Sequence, residues 1–500
     1  MLVITMPIFR RSLLALATAA TLALPAAAAP LANAGLLWTQ THTGVAGGFL
    51  SEIVSFESAS RSLWVTGPNG VDVLDALTGV SQGFINTTAY GGLNSIAIRG
   101  NIAALAFDNS TDRRLPGLVV LYDTATRAPL AGTNPITVGA LPDMLTFTPD
   151  GSKLLVANEG TPNAVADTAY GLPDPVGSVS IIDVASRRVV AMPVFGGVAP
   201  TASNMGLNVR QPGMDWEPEY IAVSPDGSRA FVGLQENNAL GIIDLATNST
   251  IAVVGLGSKD HSLAGNEIDS RDNASIAFAN VPVRGLYMPD AIATYAVGGK
   301  TFLVMANEGD FREDNADRVA LGGSGIESRL RVTADGRFAT GARSFSIRDA
   351  NGDLVYDSGS ILDREAAAAG IYDDGRSRDK GVEPEGVALL AIGGRTYAFI
   401  GLERTLSGAT AVFDITDPAS ASFVRLLVTD GSGGFARLQR PEGLSGFTID
   451  GVDYLAVANE GADGLNAGTA LWQLTPVPEP GTWALLLAGL GVVTGLARRR

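Results

Sequence analysis

The chain has 500 residues, 60 of them glycine, no cysteine, and a formal charge of −16. That length holds two or three ordinary domains or one large repeat domain. The acidity excludes the basic footprint that nucleic acid requires, and the missing cysteines exclude disulfides, thiolate metal sites and cysteine nucleophiles. Abundant glycine with scarce helical periodicity predicts an all-β, turn-rich body.

Residues 1–34 read as an export signal. Arg10 and Arg11 form a short basic region, Leu13 to Leu24 is apolar, and an Ala-rich run offers small-residue cleavage sites near Ala28 or Ala34. A Sec signal is the main reading, although Arg10-Arg11-Ser12 also faintly resembles a twin-arginine signal.

Residues 35–475 carry a repeated unit. Each copy is a strand beginning at Pro-Asp or Pro-Glu, a tight turn, and a second strand ending in an acidic residue. The clearest copy runs from Pro289-Asp290 through Gly298-Gly299 to Asn307-Glu308-Gly309. Asp-Gly and Gly-Gly between β-rich runs are hairpin signals, and hairpins at a regular period stack to share a core. Several copies continue into a third strand ending in Asp, such as Gly177–Asp183, Ala239–Asp244 and Thr410–Asp414. The expected fold is therefore a β-propeller, counted as seven blades with six or eight as alternatives, and with an insertion in blade five. Blades one and two are the least regular. The strand at 35–40 has no blade of its own and is expected to pair near Ala470–Gln473, closing the ring.

Two stretches break the rhythm. Gly257 to Asn280 is a polar, acidic loop containing His261, expected to be solvated. Asp310 to Lys380 is the larger insertion, with a strand pair near 343–357 and a short helix at Glu365–Ala369. Insertions of this kind decorate one face of a propeller.

Residues 476–500 form the tail. Pro478-Glu479-Pro480 precedes an apolar run from Trp483 to Ala497 and a terminal Arg498-Arg499-Arg500. The run reads as a transmembrane helix with the arginines on the cytoplasmic side. The whole pattern resembles the PEP-CTERM sorting signal of bacterial surface proteins. That resemblance implies export, a membrane or cell-surface location, and processing by an exosortase-type enzyme after passage through the export machinery.

The body also resembles a family. Gly257 to Leu263, Met288-Pro289-Asp290, Met305 to Asp310 and Glu383-Pro384-Glu385-Gly386 are similar to the choice-of-anchor I domain, a YVTN/WD40-like propeller. The resemblance implies architecture and location; the family has no firmly assigned common reaction.

In a propeller blade the first strand starts on the face where the second ends. The acidic residues should therefore meet in pairs near the central channel: Asp143 with Glu159, Glu219 with Glu236, Asp290 with Glu308, Glu385 with Glu403, and Glu442 with Glu460. Ten carboxylates on one rim repel, and need cations, arginines, hydrogen bonds or retained protons to coexist. Oxygen-only clusters suit Ca²⁺ or Mg²⁺, and Ca²⁺ is the expected ion. No Walker-type loop is present, so no organic cofactor is expected. One reading is a binding module for a cell-envelope or matrix component. The alternative is a calcium-dependent phosphoesterase of alkaline-phosphatase-like or phytase-like type, with Arg312, Arg404 and Arg440 meeting phosphate. A third reading makes the carboxylates structural staples that bond loop amides and hold neighbouring blades in register.

Overall fold

The structure, a computed structural model, describes residues 31–476 except 44, 46–48, 133, 162–163, 166–168, 171–173, 201–215, 311–317, 321–329, 334–337 and 463–464. Arg312, the sorting motif Pro478, Glu479 and Pro480, and the tail expected to form a transmembrane helix lie outside them. Among the described residues no helix is long and apolar enough to cross a membrane.

Seven antiparallel sheets among these residues carry four strands in a single path. Their first strands are Val54–Glu57, Leu93–Arg99, Pro142–Phe147, Pro218–Val223, Ile292–Val297, Pro384–Ile392 and Pro441–Ile449. Each first strand packs against the next, and the last packs against the first, so the seven circle a common axis. This is a β-propeller.

The middle strands are buried on both faces, because each sheet is sandwiched between two others. That is why Leu154-Leu155-Val156-Ala157 and Ala230-Phe231-Val232 are continuous apolar runs rather than alternating ones. Trp64, Val71 and Val73 of the first sheet pack on Leu105 and Phe107 of the second, and equivalent layers fill every interface described. The hairpins follow their turn chemistry. Gly298-Gly299, Gly393-Gly394 and Asp450-Gly451 each place both central residues at positive φ, as the turn favoured between twisted strands requires. The Asp that ends a third strand binds the following turn: Asp183 accepts from Ser186 N at 2.7 Å, and Asp244 from Thr247 N at 2.8 Å.

The strand Leu31–Gln40 pairs antiparallel with Gly468–Pro476 and supplies the outermost strand of the last sheet. The expected pairing of the early strand is present, and it begins four residues sooner than residue 35. A second clasp lies beside it. His42 Nδ1 is 2.8 Å from Asp72 Oδ2, and its Nε2 is 2.9 Å from Thr469 Oγ1, which is 3.0 Å from Ser51 Oγ. The arrangement has the composition of a nucleophile–histidine–acid triad. All four side chains are sealed from solvent, and they tie the chain start, the first sheet and the last sheet together.

The insertion is arranged differently from the sequence reading. The strand pair Ser344–Asp349 and Leu354–Asp357 supplies the third and fourth strands of the fifth sheet itself. The helix is Ile361–Ala368. The acidic loop is docked, not solvated. Asp269 is buried and accepts from Ser377 Oγ at 3.1 Å, and Asp260 pairs with Arg284 at 3.0 Å. Short strands at Ser258–Asp260 and Arg284–Leu286 join Phe338–Ala339 in a separate small sheet. His261 lies 2.9 Å by Nδ1 from the Asn266 carbonyl, not from a loop carboxylate. Burial, followed by the nearby Lys259 charge, pushes its imidazole down to about 3.

Candidate functional site: an acidic channel

Most leading acidic positions of the repeat share one local geometry, from which Asp290 departs. The first strand carries a β-bulge at its start in the second, third, fourth, sixth and seventh sheets. The shifts span Asn94, Asp143, Glu219, Glu385 and Glu442. A bulge inserts unpaired residues and re-aims a side chain, and here it turns the carboxylate out of the sheet toward the axis. The residue before the proline adopts a left-handed conformation at Leu141, Met288, Glu383 and Arg440. Outside glycine that conformation costs about 1–2 kcal/mol per residue, and such strain clusters at sites where surrounding contacts enforce it. What enforces it is visible in all four, and at Met288 the carbonyl accepts the Gly309 amide at 3.0 Å. The carbonyls of Leu141, Glu383 and Arg440 accept the amides of Glu159, Glu403 and Glu460 at 2.8, 2.9 and 2.8 Å. The two acidic residues of the third, sixth and seventh repeats are thereby locked side by side.

Eight of the ten carboxylates form close groups, which keep the expected pairs Glu219–Glu236 and Glu385–Glu403 but separate Asp290 from Glu308. Three groups place carboxylate oxygens within 4.8 Å of one another: Glu159, Glu219 and Glu236; Asp290, Glu385 and Glu442; and Glu308, Glu385 and Glu403. Glu385 belongs to two of them. Asp143 and Glu460 are outside these groups and line a channel cavity of about 450 Å³ with Asp290, Glu442, Asn94 and Glu52. Glu52 and Asn94 occupy in the first two sheets the position of the repeat carboxylate. Their segments lack the proline, so the repeat pattern does not find them.

Burial dominates the electrostatics. It raises the Glu52 carboxyl to about 8, with Glu460 adding to the effect, and Asp143 to about 7, with Asp290 and Asp108 adding. It raises Glu236 to about 8 and Glu403 to about 7, with Glu159 and Glu383 respectively adding to the burial effect. Glu219, Glu385 and Glu442 are pushed well above the carboxylate range by burial, and then chiefly by the charges of Glu236, Glu308 and Asp290 respectively. Glu385 is 9% exposed, and its Oε2 is buried with no hydrogen-bond partner. Desolvated carboxylates in this number either hold protons or await a cation.

One flank carries its own positive charge. The Lys380 ammonium sits on Glu308 Oε1 and lies 2.9 Å from Glu383 Oε2, while Gln235 donates to Glu308 Oε2 at 2.8 Å. Burial alone would lower the Lys380 ammonium, but Glu308, Asp310 and Glu383 outweigh it and hold the group charged. Arg404 pairs with Glu403 at 2.9 Å, and Arg440 lies 3.8 Å from Glu460. Both arginines expected to meet phosphate are thus engaged with carboxylates. Lys380 and Glu383 escape the repeat pattern, because they arrive on the segment connecting the fifth sheet to the sixth.

The fold and its channel define a β-propeller with an acidic axis. The profile of the choice-of-anchor I domain matches residues 52–334 and 324–418, and the chain belongs to that family. The PEP-CTERM protein-sorting motif matches residues 476–500 and indicates export and cell-surface anchoring in bacteria, with processing by an exosortase-type system. Among solved structures the chain is similar to a chain of Kuenenia stuttgartiensis hydrazine synthase, at 14% identity and a TM-score of 0.50 over 86% of this chain and 97% of that one. It is also similar to the Cps50 (Swd1) β-propeller domain of Myceliophteria thermophila, at 12% identity and a TM-score of 0.45 over 89% of this chain and all of that one. These likenesses concern the fold alone. No curated protein matches.

Proposed function

We propose that this surface-sorted propeller is a binding module whose acidic channel takes up a divalent cation, Ca²⁺ by its oxygen-only ligand set. The observation that carries the reading is Glu385. Its Oε2 is buried and unpartnered, and a carboxylate oxygen of Glu385 lies within 4.8 Å of oxygens of both Asp290 and Glu442. A buried carboxylate oxygen without a donor costs more than one that is paired, so a bound cation converts a penalty into a contact. The cation also orders the first strands that meet at the channel, and so presents a fixed face to a partner in the cell envelope or matrix. The engagement of Arg404 with Glu403 and of Arg440 with Glu460 favours binding over phosphoester hydrolysis.

The test is thermal unfolding of the purified full-length chain in detergent, with Ca²⁺ and with excess chelator. The expected result is a rise in melting temperature that grows with Ca²⁺ concentration, because an ion that binds only the native state stabilises it by mass action. No shift up to millimolar Ca²⁺ would overturn the cation reading and favour a staple role for the carboxylates.

A further inference from the structure

Two of the three carboxylate groups in the channel share Glu385, and the chain fills one of these two with its own positive charge. On the Glu308 side, three carboxylates meet three cations. Glu308 contacts Lys380, Glu383 contacts Lys380 and Arg376, and Glu403 contacts Arg404. Gln235 satisfies the second oxygen of Glu308. On the other side, no ion pair with Lys or Arg reaches Asp290, Glu385 or Glu442 among the described residues, although the Lys380 charge still acts on Asp290 and that of Arg404 on Glu385. Asp290 and Glu442 of this second group line the cavity and Glu385 lies just behind it, next to the lining Gly386, whereas Glu308, Glu403 and Lys380 are not in its lining. The buried, unpartnered Oε2 of Glu385 is a second, independent mark of a missing ligand.

We infer that Lys380 is a tethered cation that closes the Glu308–Glu403 position and confines the divalent ion to Asp290, Glu385 and Glu442. The inference rests on the cation reading above. An ammonium is a compact point charge on a flexible stem, and its attachment to the chain gives it a standing advantage over any ion from solution. Glu385 is common to both carboxylate groups, so without Lys380 it would bridge two ions. With Lys380 present it serves one.

Isothermal titration of the full-length chain with Ca²⁺ tests this by stoichiometry. The expected result is one more ion per chain for Lys380→Met than for the native protein. Glu442→Gln should weaken one site of the native protein at least tenfold. The same count in the native protein and the Lys380→Met variant would overturn the role of Lys380 while leaving the cation reading intact. Binding by neither would overturn both. Should Lys380→Met fail to fold, Lys380→Gln, which keeps a neutral donor toward Glu308, takes its place in the same comparison. Undiminished affinity in Glu442→Gln overturns the assignment to this triad.

Discussion

The amide of Glu403 donates to the carbonyl of Glu383 at 2.9 Å, and Glu383 is held in a left-handed conformation to receive it. The same bond joins Glu159 to Leu141 and Glu460 to Arg440. The acidic pairing is therefore a backbone property of the repeat, and the side chains inherit their closeness from it. This makes the electrostatic load on the channel unavoidable once the fold is formed.

That load gives stability an unusual pH dependence. Asp143 and Glu403 are raised to about 7, and Glu52 and Glu236 to about 8, from ordinary values of 3.8 and 4.5. The folded chain then binds more protons than the unfolded one, so this contribution is fully present below the unfolded values and is lost as pH rises through the folded ones. Melting temperature measured in chelator should fall from pH 5 to pH 9. Saturating Ca²⁺ should flatten the decline. A melting temperature that climbs across this range in chelator would contradict the retained protons.

Glu383 should be the costliest single carboxylate to neutralise. It is fully buried and meets Arg376 Nε at 2.6 Å and Lys380 at 2.9 Å. Glu383→Gln leaves buried cations short of a counter-charge, a change that costs about 3–5 kcal/mol when one partner of a buried pair is removed. Denaturant unfolding should show a loss of that size, and a loss under about 1 kcal/mol would mean the cations relax to other partners.

Gly386 should tolerate no side chain. A Cβ there would stand 2.1 Å from the Glu442 carbonyl oxygen, between two neighbouring first strands. Gly386→Ala should destabilise by about 1–3 kcal/mol through overpacking. It should also lower Ca²⁺ affinity, since it pushes Glu385 and Glu442 apart. Unchanged melting and unchanged titration together would contradict that close approach.

The clasp around His42 predicts coupling across the closure of the ring. Thr469→Val and His42→Ala each leave buried polar groups without partners, at about 1–3 kcal/mol apiece. Because both break one network, the double variant should lose clearly less than the sum. Strict additivity in denaturant unfolding would show that the two residues act separately.

Much of this site is legible in the sequence, and the reason is periodicity. Pro-Asp or Pro-Glu followed by a second acidic residue at the end of the next strand fixes both the hairpin and the face where its ends meet, as Asp290 and Glu308 illustrate. What the sequence hides is of two kinds. Glu52 and Asn94 fill the same structural position without the proline that flags it. Lys380 and Glu383 enter from a connection whose path no local pattern records, and Arg404 and Arg440 read as available cations until their carboxylate partners are seen beside them. The strand pair near residue 350 was recognisable as a pair, but its membership of the fifth sheet depends on Ser344–Asp349 meeting Lys300–Asn307 across the insertion.

The pairing of Leu31–Gln40 with Gly468–Pro476 also sets an order of events in time. Six of the seven sheets find all their strands within one stretch of chain, and each can form as soon as that stretch is available. The last sheet alone needs both the first and the final segments of the body, and closing so long a loop is the slow, entropically costly step. The sorting motif begins at residue 476, where the closing strand ends. Completion of the ring and delivery of the sorting signal therefore fall at the same moment, and a chain halted before that point carries two open sheet edges and no address.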